Sequence, residues 1–187
     1  MTQFGFKGFR QVFIWLSLGW LPVCVAAPIP GTSTSTLVSE KPQLYRSSNG
    51  FEIHAGKTSW YIQNTTTSSK NIESIFKSPK LVKGLQASMT VRVDQRAPDI
   101  TFNQYLRKSI KDYARLGMEI VKTHPVKVNQ FTGFMIDAVG QNREKQLRQI
   151  VFGKGQTMVI LTCRDSKENF KSSIKECNEI FKSFSWL

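Results

Sequence analysis

Leu85-Gln86-Ala87-Ser88-Met89-Thr90-Val91-Arg92-Val93-Asp94 is the stretch on which the fold turns. Its parity is clean. Leu85, Ala87, Met89, Val91 and Val93 share one face, while Gln86, Ser88, Thr90, Arg92 and Asp94 share the other. Strict alternation of this kind predicts a strand with one face on a core and one toward water. Immediately afterwards the period changes. Pro98-Asp99 breaks the chain, Thr101 can cap, and Phe102, Tyr105, Leu106, Ile110, Tyr113 and Leu116 fall at helical spacing before Gly117 ends the helix.

Short strands follow in quick order: Glu119 to Thr123, Val126 to Asn129, Gly133 to Val139, Gln146 to Phe152 and Thr157 to Cys163. Gly153-Lys154-Gly155 supplies a hairpin turn between the last two. Met158 to Leu161 is apolar on both parities, so that strand is expected at the centre of the sheet with both faces covered. A final helix is predicted from about Ser166 to Phe184, with Asp165 and Glu168 as a variant of a capping box. Phe170, Ile174, Cys177, Phe181 and Phe184 form its apolar stripe. Upstream, Gly50 to His54 alternates as a first strand, Trp60-Tyr61-Ile62 is a short apolar patch, and Asn64 to Asn71 is a polar loop. Asn64-Thr65-Thr66 within that loop matches a glycosylation sequon. The order of elements predicts an α+β domain beginning near Gln43 and running over residues 43–187.

The N-terminus sets the compartment. Lys7 and Arg10 precede a short apolar run, Val12 to Leu21, and Val25-Ala26-Ala27 offers small residues at −3 and −1 of a cleavage site. This is the layout of a secretory signal peptide over residues 1–27. A retained anchor is the first alternative, although a span needs about 20 apolar residues. Lipidation at Cys24 is the second, with Pro22 and Val23 departing from a lipobox. Residues 28–42 are rich in Pro, Ser and Thr and read as a linker. The expected product is periplasmic or secreted, with no span after cleavage.

Cleavage removes two of 26 basic residues and none of 13 acidic ones, so the formal charge falls from +13 to +11. That balance favours acidic partners. Two cysteines remain, Cys163 and Cys177. In an oxidising compartment an even count reads as a disulfide, with two buried thiols or a metal pair as alternatives. Helix phase turns Cys177 toward the sheet, where Cys163 ends the preceding strand.

Chemistry-bearing motifs are sparse. The chain contains no GxSxG, HExxH, P-loop or SxxK pattern. His54 and His124 lack partners at metal-ligand spacing, and Glu119, Asp137, Glu144, Asp165 and Glu168 are scattered. No catalytic residue, cofactor or metal is therefore assigned. The surface feature that departs from the background is basic. Arg107, Lys108, Lys111 and Arg115 fall within an arc of about 100° on the first helix, opposite its apolar stripe. Lys167, Lys171, Lys175 and Lys182 fall within about 80° on the last. Each stripe reads either as a solvated face or as a docking surface for an acidic envelope protein, anionic lipid or glycan. Nucleic acid fits less well, because the stripes lack interleaved aromatics.

Over residues 44–186 the chain resembles the PsbP-like and DcrB-like group of exported bacterial domains. Asn49-Gly50-Phe51-Glu52-Ile53 resembles that group's opening strand, with Trp60 near its usual aromatic. Thr101-Phe102-Asn103-Gln104-Tyr105-Leu106 is similar to the start of its central helix. Pro125-Val126-Lys127-Val128-Asn129-Gln130-Phe131-Thr132-Gly133-Phe134 resembles its strand-turn segment, with Gln130 and Thr132 replacing the usual glycine and proline. The resemblance implies an antiparallel sheet flanked by helices on both faces, an α/β/α sandwich. It implies no single activity, since members range from photosystem accessory subunits to envelope lipoproteins and transport adaptors. The leading expectation is a non-catalytic exported binding or assembly-accessory protein. A hydrolase with a sheet-edge cleft and a small-ligand or lipid carrier are the alternatives.

Overall fold

The computed structural model describes residues 43–63, 71–142 and 144–187. Residues 1–42, which the sequence reading assigns to a signal peptide and a linker, and most of the Asn64–Asn71 loop with its sequon lie outside the described residues. In chain order the elements are β1 (Leu44–Ser47), β2 (Phe51–His54), β3 (Tyr61–Gln63), β4 (Ile72–Val82), β5 (Leu85–Gln95) and α1 (Phe102–Arg115). Then come β6 (Met118–Val128), β7 (Phe131–Gly140), β8 (Lys145–Lys154), β9 (Thr157–Ser166), α2 (Lys167–Lys182) and β10 (Ser185–Trp186). Seven strands form one antiparallel sheet in the order β3-β4-β5-β9-β8-β7-β6, and β1-β2-β10 form a second, smaller one.

The helices lie on opposite faces of the large sheet. Strand β9 occupies its middle, and Met158, Val159, Ile160 and Leu161 are all buried. Val159, Leu161 and Cys163 join the main core with Phe170, Cys177 and Phe181 of α2. Ile160 points the other way and packs with Leu106 of α1 and Val151 of β8. Further along α1, Tyr113 meets Ile136 and Ala138 of β7. The small sheet shares the α2 side, where Phe51 and Ile53 enter the main core. Phe184 stacks on Phe152 at 4.2 Å, and Trp186 meets Phe184 edge-on. Gly133 has no room for a side chain, because a Cβ there would lie 2.8 Å from the Phe152 ring.

Several elements differ from the sequence reading. Strand β6 is continuous through Pro125, which is tolerated because β6 is the sheet edge. Leu116 leaves the apolar stripe, caps α1 and is 73% exposed. Thr101 makes a full capping box with Gln104. At α2 the expected box is absent. Ser166 is the N-cap residue and makes no side-chain cap bond, while Asp165 accepts from the Ser166 backbone N–H at 2.6 Å and from the Ser173 hydroxyl. The β8–β9 turn is Gly155-Gln156 rather than Gly153-Lys154-Gly155, since Lys154 pairs with Thr157. Strands β1, β4 and β10 have no counterpart in the sequence reading.

Cys163 and Cys177 are bonded, with Cα atoms 6.1 Å apart. The bond ties the central strand to α2 beneath a layer of buried side chains. Reduction is expected to lower stability by about 2–4 kcal/mol, because it frees the unfolded chain. Chemical denaturation with and without reductant measures this. Two titratable thiols in unfolded, unreduced protein from an exporting host would contradict the bond.

Candidate functional site

The two basic stripes do not form one surface. Arg107, Lys108, Lys111 and Arg115 are exposed on the outer side of α1, and Lys167, Lys171, Lys175 and Lys182 are exposed on α2, across the sheet. Their surroundings also differ. Helix α1 carries a single acid, Asp112, which bonds Arg115. Helix α2 interleaves its lysines with Glu168, Glu176 and Glu179. Glu179 pairs with Lys182 at 2.7 Å, and Glu168 pairs with Lys83 at 2.8 Å. The α1 stripe is the more strongly cationic of the two.

Beside α1 the sheet is open. The apolar packing under α1 involves Ile160 of β9 and residues of β8, β7 and β6, while β5 meets α1 through the Tyr105–Asp94 hydrogen bond. Pairing register places Tyr61, Lys77, Ser88 and Arg164 in one row across β3, β4, β5 and β9. The next row is Gln63, Ile75, Thr90 and Thr162. Directly paired residues on neighbouring strands share a face. Met89 lies in the α2-side core, so Ser88, Thr90 and Arg92 turn toward α1. Lys77 and Arg164 are therefore two strand spacings apart, about 10 Å, with Arg92 about 14 Å further along β5 from Ser88. Nε of Arg164 donates to Ser88 Oγ at 3.1 Å, which fixes the guanidinium across the strands.

Asp94 is the acid that the open strands place on this face, and its oxygens are occupied. Tyr105 donates its hydroxyl at 2.7 Å, Arg92 a guanidinium N–H at 3.1 Å and Asn71 its amide at 3.1 Å. Burial, then the bond to Asp94, pushes Tyr105 up to about 12, so it remains a neutral donor. Burial likewise pushes Tyr113 up to about 12. Lys77, Arg92 and Arg164 thus join the α1 stripe on one face, where Asp94 is engaged by Tyr105 and Arg92, and Asp112 by Arg115. Multiple guanidinium groups on a fixed sheet suit carboxylate or phosphate oxygens. Arg92 is legible in the alternation of Leu85–Asp94. Lys77 and Arg164 were missed because β4 and the last turn of β9 were not read as strand.

Other polar groups are structural. Arg148 clamps Asp137 through Nε at 2.7 Å and Nη2 at 2.9 Å, and its Nη1 donates to Asn178 of α2 at 3.3 Å. Glu73 accepts from Tyr45 at 2.9 Å, Ser47 at 2.5 Å and Asn49 at 2.5 Å, binding the small sheet to β4. The backbone of His54 exchanges hydrogen bonds with the Ser183 hydroxyl.

A cleft separates α2 from β4 and β5. Asp165, Asn169, Ser173 and Glu176 line one wall, and Trp60, Val82 and Leu85 line the other. Its volume of about 90 Å³ is small beside the roughly 300–1,000 Å³ of ordinary ligand sites. A broader depression of about 430 Å³ lies between Lys57–Ser59 and the Lys175, Glu176, Glu179 flank of α2. No helix among the described residues is long and apolar enough to cross a membrane.

The chain has the PsbP-like fold. It is similar to the cyanobacterial PsbP, CyanoP, from Synechocystis sp. PCC 6803, with a TM-score of 0.58 and 13% identity over 84% of this chain and 99% of that one. LpqN of Mycobacterium tuberculosis, described as involved in cell envelope biogenesis, aligns with a TM-score of 0.58 at 9% identity over 79% and 86%. PA94 of Pseudomonas aeruginosa, described as a putative regulator of unknown function, aligns at 0.54 with 16% identity over 76% and 94%. No family profile and no curated protein matches the sequence.

Proposed function

We propose that this chain is an exported, non-catalytic accessory protein that docks on an acidic protein of the envelope through its α1 side. The observation that carries the reading is the one-sided charge. Four basic residues of α1, Lys77 and Arg92 of the open strands and Arg164 of β9 share a face on which Asp94 and Asp112 are paired, whereas the α2 side mixes both signs. Such a face steers an anionic partner and weakens as salt rises. The role of LpqN in cell envelope biogenesis agrees with this reading, and the N-terminal pattern supplies the route out of the cytoplasm. A hydrolase is less well supported, because the cleft beside α2 is small and the broader depression beside Lys57–Ser59 is wide open to solvent. A carrier is less well supported, because Phe170, Phe181, Phe152 and Phe184 fill the space between sheet and α2.

Export predicts that protein recovered from its host begins at Pro28. An intact Met1 on cytoplasmic protein would remove the envelope from the account.

Reversing Arg107, Lys111 and Arg115 to Glu should leave the fold intact, since all three are exposed on the outer side of α1. It should weaken capture of an acidic partner from solubilised envelope by about ten-fold or more and flatten the salt dependence. The matched reversal of Lys167, Lys171 and Lys175 should have a smaller effect. Equal effects of the two triple variants, or none from the first, would mean that the α1 side is merely solvated.

A further inference from the structure

The β4–β5 hairpin carries a second surface of different chemistry. Among the described residues, 78–82 and 85–87 pair with no strand beyond each other's, because β3 stops opposite Lys77 and the β9 ladder stops opposite Ser88. The ribbon therefore runs about 10 Å past the last pair with its neighbour. At its end Leu81 is 66% exposed, Val82 40% and Leu85 52%. Lys83 and Gly84 both have positive φ, 50° and 75°, so a two-residue turn closes the ribbon. An exposed apolar hairpin end is an aggregation hazard unless it has an occupant.

The charge around this end indicates which occupant. Lys80 and Lys83 flank the three apolar side chains, and Lys145 and Lys167 lie at the same end of the sheet, where Lys145 pairs with Ser166. Glu144 and Glu168 are acids at this end, with Glu168 holding Lys83 at 2.8 Å, while Asp165 and Glu176 face Val82 and Leu85 across the cleft, Asp165 being occupied by the Ser166 N–H and the Ser173 hydroxyl. Apolar side chains at a projecting end, ringed by long cationic ones, match the boundary between acyl chains and anionic headgroups.

We propose that the β4–β5 hairpin end is a membrane-contacting element. Leu81, Val82 and Leu85 enter the headgroup boundary of an anionic bilayer, and Lys80 and Lys83 hold headgroup phosphates. The hairpin points along the strands and the α1 side faces across them. A chain docked this way keeps its α1 side open to a protein partner, so the inference does not depend on the docking role of α1.

Flotation of the full chain with phosphatidylcholine vesicles, with and without phosphatidylglycerol, tests it. The full chain and its variants share residues 1–27, so any contribution from that segment cancels in the comparison. Leu81→Ser with Leu85→Ser, which changes no charge, should lower partition to the anionic vesicles by about ten-fold or more. Glu168→Gln should raise it. Capture of an acidic partner should be unchanged by the leucine variant, which separates this site from the α1 side. Hydrogen exchange on the wild-type chain gives an independent reading: residues 80–86 should be protected by anionic vesicles alone. Equal partition of the leucine variant, or no protection of residues 80–86, would overturn the proposal. So would lipid-free self-association that the leucine variant abolishes, because the occupant would then be a second copy.

Discussion

A seven-stranded sheet whose central strand is apolar on both faces must be covered twice, and the two covers are unequal in width. Seven strands at about 4.8 Å spacing span roughly 30 Å, whereas one helix with its side chains is about 10–12 Å across. On one face α2 is joined by the β1-β2-β10 sheet, and together they bury Phe51, Phe76, Met89, Val159 and Leu161 in a continuous core. On the other face α1 stands alone. It packs from Ile160 outward to β6, reaches β5 through the Tyr105–Asp94 bond, and extends no apolar contact to β3 and β4. Strands β4 and β5 carry Lys77, Thr90 and Arg92 on this side, residues that water or an anion can satisfy, and the buried Ser88 is held by Arg164. The candidate surface is thus a consequence of incomplete coverage, with basic side chains placed where apolar ones have no cover.

Rigidity follows from the same arrangement. The disulfide, the Phe152–Phe184 stack and the Arg148–Asp137–Asn178 contacts all join α2 or the chain end to the large sheet. On the opposite side the Tyr105–Asp94 bond and the Thr101 capping box hold α1 in register beside the open strands. Charged groups presented on strands and a docked helix keep a fixed spacing, which favours recognition of a partner of matching shape over a general attraction to polyanions.

Much of this was legible in the sequence where one physical signal dominated. The alternation of Leu85–Asp94, the double-sided apolarity of Met158–Leu161 and the helix phase of Cys177 each point to a single packing, and the structure has all three. Strand β4 was not legible, because its pattern is mixed. Ser74 and Ser78 are buried, Ile75 turns to the open face, and register shifts lie at Ile72/Ser74 and Lys77/Leu81 around Pro79. Strands β1 and β10 are four and two residues long and exist through pairing with β2. Leu85 and Leu116 read as core because sequence periodicity does not reveal where a strand or helix outruns its neighbours. The charge stripes were legible from helix phase, but their separation by the sheet was not. That separation distinguishes the α1 side from the α2 side.

The central claim is that recognition occurs on the α1 side. A photo-reactive side chain placed at Lys108 of α1 or at Lys171 of α2, activated in the living host, tests it most directly. The account predicts adducts with an acidic envelope protein from position 108 and few from position 171. Adducts from position 171 alone, or from neither position, would contradict it.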